Sequence, residues 1–78
     1  MTVKVYSTPN CAQCKMTYKE LDKRAIPYEV IDLSQDNDAR DMVMGRLGYR
    51  QAPVVIVSES DHWAGFRPDL ISKIEAAA

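Results

Sequence analysis

The sequence predicts an α/β domain of element order β-α-β-α-β-β-α, with a four-stranded mixed sheet flanked by three helices. Three observations carry this. The chain opens on a strict period-two alternation of apolar and polar residues. Two stretches with apolar residues at helical spacing alternate with extended segments. An all-apolar strand is then followed by a turn, a short strand and a last helical stretch. Seventy-eight residues make one domain, residues 1–78, and are too few for two. At 46% hydrophobic and 27% charged residues the composition is that of a folded chain, since disorder needs lower hydrophobicity or a larger net charge.

Each element has its own signature. Over residues 2–6, Val3 and Val5 face one way and Thr2, Lys4 and Tyr6 the other, which is a short strand. Ser7-Thr8-Pro9-Asn10 is a loop with helix-start chemistry. From Cys11 onward, Cys14, Tyr18, Leu21 and Ala25 recur at helical spacing. Ile26-Pro27 is the expected stop, because proline disfavours helical dihedrals in the residue before it. Residues 28–33 form a second strand. Ser34 and the acidic Asp36-Asn37-Asp38 suit the positive end of a helix, and Ala39, Met42, Val43 and Leu47 supply its apolar stripe up to Gly48. Val54 to Val57, apolar throughout, reads as a central strand. Residues 58–61 turn the chain into a fourth strand at His62-Trp63. Pro68 opens a final helix with Leu70, Ile71 and Ile74 on one face. The β-α-β opening implies parallel strands with a right-handed crossover, and the later β-β pair a hairpin, so helices cover both faces of a mixed sheet.

Composition excludes several function classes. Ten basic residues against eleven acidic ones argue against nucleic acid as a partner, since phosphate binding relies on clustered Lys and Arg. The longest apolar run is far short of a membrane span. No basic segment followed by an apolar one opens the chain, so a reducing cytoplasm is the expected compartment.

That compartment shapes the reading of the two cysteines. Cys11 and Cys14 are separated by two residues, and a bridge between such near neighbours closes too small a loop to act as a staple. Cys11 stands where a loop enters a helix, and there unsatisfied amides and the helix dipole favour an anion such as a thiolate. Cys14, most of a turn later, starts the apolar stripe. Cys11 is therefore the expected attacker and Cys14 the buried resolving thiol. Structural zinc wants four ligands and only His62 is offered beyond the pair, so no metal is expected. The neutral Ala12 and Gln13 between the cysteines do not define a redox potential. His62 is expected to face solvent, Tyr6 and Tyr49 to be structural, and Lys15, Lys19 and Lys23 to form a solvated helix face, with an acidic partner as the alternative.

On these residues the chain resembles the thioredoxin fold in its short glutaredoxin-like form: a helix-start C-x-x-C, Ala52-Pro53 before an apolar strand, and a small mixed sheet. More closely, Cys11-Ala12-Gln13-Cys14 together with Trp63-Ala64-Gly65-Phe66-Arg67-Pro68 resembles the NrdH-redoxin family, whose second motif usually has serine where this chain has Ala64. The resemblance runs over essentially the whole chain. It implies a dithiol carrier that takes electrons from NADPH through thioredoxin reductase and passes them to the large subunit of class Ib ribonucleotide reductase. No bound cofactor is expected beyond a redox-active Cys11–Cys14 disulfide. It also implies a cis Pro53 facing the cysteines, with Ala52 pairing to a partner peptide; sequence alone favours an ordinary trans proline opening a strand. Ala12, Gln13, Ala52, Pro53, Trp63, Phe66 and Arg67 are the expected partner contacts. For Trp63 and Phe66 core filling is the alternative, and for Arg67 pairing with a helix carboxylate. A monomer making brief, small contacts is expected. Two other readings stand beside this one. The first is a glutathione-dependent glutaredoxin, against which Gln51-Ala52 replaces the usual Thr-Val. The second is a metal or cluster module using both cysteines across a dimer.

Overall fold

The period-two pattern at the start of the chain forms β1 (Val3–Ser7), which leads into α1 (Ala12–Lys23) and then β2 (Tyr28–Asp32). A short α2 (Asn37–Asp41) runs on into a π-helical turn, Met42–Arg46. The hairpin of β3 (Val54–Ser58) and β4 (Asp61–Ala64) precedes α3 (Pro68–Ala77). The computed structural model describes residues 2–77, and the side chains of residues 2–74.

The strands lie in the order β2-β1-β3-β4. β1 pairs parallel with β2 and antiparallel with β3, and β3 and β4 pair antiparallel. This is the four-stranded mixed sheet expected, and β3 is a central strand as its apolar run requires. The register Tyr6↔Val54↔Ala64 brings the end of β1, the start of β3 and the end of β4 together at one edge of the sheet. Three connections therefore meet there: residues 8–11, 51–53 and 65–67.

Alternation along the strands divides the interior into two cores, one on each face. Val3, Val5 and Val55 meet Leu21 and Ile26 from α1 and its exit, Ile71 from α3, and Trp63. On the other face Tyr6 and Val54 meet Leu33, Ala39 and Val43. The result is a three-layer arrangement, with α1 and α3 on one side and α2 on the other.

Both helix ends departed from the sequence expectation in detail. Ala25, expected on the buried stripe, is exposed, and α1 ends at Lys23 before Ile26-Pro27 is reached. Ala25 adopts φ 55°; its N–H donates to Asp22 O at 3.0 Å, and the Ile26 N–H donates to Leu21 O at 3.0 Å. That is a Schellman stop, sealed by the buried pair Leu21 and Ile26, so a left-handed residue ends the helix and the proline only follows it. At the start of α2 the Asp36 carboxylate accepts from the Ala39 N–H at 3.0 Å, the cap that the acidic segment promises. The far end widens: the Leu47 N–H reaches back to Met42 O at 3.0 Å before Gly48, at φ 77°, turns the chain.

Candidate active site

Cys11 is the N-cap of α1, in an extended conformation at φ −106° and ψ 108°. It follows Asn10, whose φ of 57° turns the loop away from β1. Its Sγ accepts a hydrogen bond from the Cys14 N–H at 3.1 Å, and its carbonyl accepts from the Lys15 N–H at 3.2 Å. The two cysteines are joined by a disulfide, with their Cα atoms 5.2 Å apart. Cys14 is 2% exposed and Cys11 half-buried. The unequal exposure follows from helix geometry: Cys14 lies on the buried stripe with Thr17 and Leu21, and Cys11 lies before the first turn. An N–H aimed at the cap sulfur and the positive end of a helix both favour negative charge at Cys11.

Beneath the pair lies a polar seam that sequence reasoning missed. Thr17 is fully buried, and its hydroxyl donates to Gln13 O at 2.8 Å. Ser7, also buried, shares a hydrogen bond with the Tyr18 hydroxyl. Tyr18 in turn stacks on Tyr28, with ring centroids 5.7 Å apart. The signal was available in Thr17, which sits at helical spacing between Cys14 and Leu21. A polar residue on an apolar stripe must find an internal partner.

Gln13, an expected contact residue, joins the site to its rim. Its side-chain Oε1 accepts from the Phe66 N–H at 3.0 Å, across fifty-three positions of sequence. Gly65, one residue earlier, has φ 87°, and a Cβ there would stand 3.4 Å from the same oxygen. The Gly65 N–H donates to Pro53 O at 2.8 Å. One path of contacts thus runs from the residue between the cysteines, through Phe66 and Gly65, to the Ala52–Pro53 turn. The Ala52–Pro53 peptide is cis, as the resemblance implies and against the trans geometry that sequence alone favours. Pro53 is buried, Ala52 half-buried and Ala12 exposed.

The other expected contacts divide. Trp63 takes the core-filling alternative: it is 6% exposed and packs in one cluster with Val5, Leu21 and Ile71. Its alternation on β4 explains this, since Trp63 pairs with the fully buried Val55. Among the described residues its buried indole N–H has no hydrogen-bond partner. Phe66 is half-buried against the same core. Arg67 is exposed and forks onto Asp69, with Nε–Oδ1 at 3.2 Å and Nη2–Oδ2 at 3.0 Å. That hydrogen bond holds the Asp69 carboxyl below its ordinary range and raises the Arg67 guanidinium. Both side chains are solvated, so the pair adds little to stability. His62 needs correcting: it does not simply face solvent, because the Tyr49 hydroxyl lies 2.7 Å from its Nδ1 and their rings meet edge to face. Among the described residues, no group of three or more His, Cys, Asp or Glu is placed to hold a metal ion.

The Glutaredoxin family model matches residues 3–63. The glutaredoxin-like protein NrdH of Salmonella typhimurium is 34% identical over 74 residues, covering 95% of this chain and 89% of the relative. Its namesake in Lactococcus lactis is 36% identical over 72 residues, covering 92% and 97%. The chain belongs to the NrdH-type glutaredoxin-like proteins. The solved NrdH-redoxin structure from Escherichia coli superposes with a TM-score of 0.88 at 32% identity, covering 95% of each chain. This NrdH-type redoxin therefore has the thioredoxin-like fold and is a thiol–disulfide oxidoreductase with a C-x-x-C disulfide. Redoxins of this type act on a redox partner, and the cap sulfur of Cys11 is the atom of the pair that this geometry leaves approachable.

Proposed function

We propose that this redoxin carries electrons from NADPH, through thioredoxin reductase, to the disulfide of a class Ib ribonucleotide reductase large subunit. The observation that carries the reading is the near-complete likeness to the Escherichia coli NrdH-redoxin, whose structure is described as the basis of a thioredoxin-like activity profile in a glutaredoxin-like protein. The half-buried cap position of Cys11, beside a Cys14 that is only 2% exposed, supports it further.

In the proposed cycle the Cys11 thiolate attacks one sulfur of the acceptor disulfide. A Cys11–acceptor bond forms, and the other acceptor sulfur leaves as a thiolate. Cys14 then loses its proton and attacks the Cys11 sulfur, expelling the second acceptor thiolate and closing the Cys11–Cys14 disulfide. The acceptor gains two electrons and the redoxin loses them; thioredoxin reductase returns them from NADPH. Ala12, Gln13, Ala52, Pro53, Phe66 and Arg67 form the rim met by partner peptides, and the compartment is the cytoplasm. No bound cofactor is needed beyond the cysteine pair.

The test is NADPH consumption with two reducing systems. Thioredoxin reductase should reduce the disulfide rapidly, and glutathione with glutathione reductase should not. Equal or faster turnover with glutathione would replace this reading with that of a glutathione-dependent glutaredoxin.

A further inference from the structure

The outer side of α1 carries a pattern that the fold does not need. Cys14, Thr17 and Leu21 mark its buried side. Ala12, Lys15, Met16, Lys19 and Lys23 are all exposed on the opposite side, and Met16 is 47% exposed. This stripe begins between the cysteines and spans twelve residues, roughly 16 Å at helical rise. Its lysines repeat at four-residue spacing, where like charges repel, and Lys15 lies near the positive end of the helix. The acidic residues of α1 do not neutralise them. Glu20 is paired with Arg24 at 2.7 Å, and the Asp22 charge lies close enough to the Tyr28 phenol to oppose its ionisation. Among the described residues no ion pair engages Lys15, Lys19 or Lys23. The chain as a whole carries a formal charge of −1, so this positive stripe is local and oriented.

We propose that the outer face of α1, from Ala12 through Lys15, Met16 and Lys19 to Lys23, docks an acidic segment of a protein redox partner and guides its disulfide to Cys11. A protein is the occupant because the stripe begins at the Cys11–Cys14 turn, where a partner's disulfide must arrive. Met16 supplies apolar contact within the charged stripe, and long-range attraction to the lysines raises the rate of encounter. The inference rests on Cys11 as the attacking thiol, and not on which reductase supplies the electrons.

The test uses the reduced full chain and peptides with one cysteine followed by a run of glutamates, of serines or of lysines, each activated as a thiopyridyl mixed disulfide. Cys11 attacks the peptide sulfur and expels thiopyridone; Cys14 then attacks Cys11 and expels the peptide thiol, so the dithiol is oxidised as the peptide disulfide is reduced. Rates are normalised to the same peptides reacting with dithiothreitol. At low ionic strength the glutamate peptide should react about tenfold faster than the lysine peptide, and salt should erase the difference. Lys19→Glu and Lys23→Glu should each shrink or invert the preference, and Lys73→Glu on α3 should leave it unchanged. A glutamate peptide no faster than the serine peptide, or a preference that survives both reversals, overturns the proposal. Retention on anionic vesicles or single-stranded DNA that the same reversals abolish would assign the stripe to another class of partner and overturn it equally. An intact peptide preference alongside failure of the two-reductant comparison would refute the electron route and leave the stripe standing.

Discussion

At the scale of single residues, the site depends on groups that hold the cysteines in unequal environments. Replacing Cys11 by Ser should abolish dithiol turnover, and Cys14→Ser should accumulate a mixed disulfide with the acceptor, visible by non-reducing electrophoresis. Trapping by Cys11→Ser instead would reverse the two roles. Gln13 is the residue by which the rest of the site is registered, because its amide oxygen holds the Phe66 N–H. Gln13→Ala removes that acceptor from a solvated bond and should cost about 0.5–1 kcal/mol, with about fivefold faster hydrogen exchange at the Phe66 amide. Unchanged exchange at Phe66 would remove Gln13 from its bridging role. Gly65 is a stricter requirement, combining φ 87° with close approach to the Gln13 oxygen. Gly65→Ala should destabilise by about 1–2 kcal/mol, read from denaturant unfolding.

At the scale of elements, helix ends explain more than helix interiors. α1 stops on Ala25 in the left-handed region, a position that glycine fills without a Cβ clash. Ala25→Gly should therefore stabilise the fold by about 0.5–1 kcal/mol, the relief of strain exceeding the added entropy of the unfolded glycine. Gly45 gives the opposite case: it lies in the π-helical turn, has no positive φ, and a Cβ would meet nothing within 4 Å. Gly45→Ala should stabilise by up to about 1 kcal/mol, because a helical alanine gains over glycine. A loss of stability in either variant would contradict the backbone geometry assigned there. The short α2 relies on its Asp36 cap, having only Ala39 and Val43 buried along its length and that of its π continuation.

At the scale of the molecule, 78 residues leave little margin. A stability of about 0.05–0.15 kcal/mol per residue amounts to roughly 4–12 kcal/mol in all. Ile71 is fully buried between α3 and the sheet, and Ile71→Ala should cost about 2–5 kcal/mol, enough to bring the domain near unfolding; Ile71→Val should cost about 1 kcal/mol. Stability should also depend on alkaline pH. Burial, followed by the negative charges of Glu29 and Asp36, raises the Tyr6 phenol above 10.0. The neutral phenol is thus favoured in the fold, and its contribution is complete below pH 10.0 and lost as pH rises through the folded pKa. Tyr28, raised chiefly by burial, behaves in the same sense. Urea melts on either side of pH 10.0 should show Tyr6→Phe losing less stability than the parent chain across that range. An identical loss in both would exclude Tyr6 as a source.

The sequence by itself determined the element order, the central place of β3, the acidic start of α2 and the helix-start position of Cys11, because each is written in residues close together along the chain. Periodicity, caps and turn residues act over a few positions, so they can be read without coordinates. Tertiary structure decided where distant segments meet. The link from Gln13 to Phe66 and the pairing of Tyr49 with His62 join residues many positions apart, and no local pattern encodes them. Thr17 and Ala25 show the limit at short range as well: spacing placed both on the helix, but only packing could show Thr17 sealed inside and Ala25 turned out as the stop. The redox pair was legible because helix-start chemistry is local; the rim around it was not, because it is assembled by the sheet.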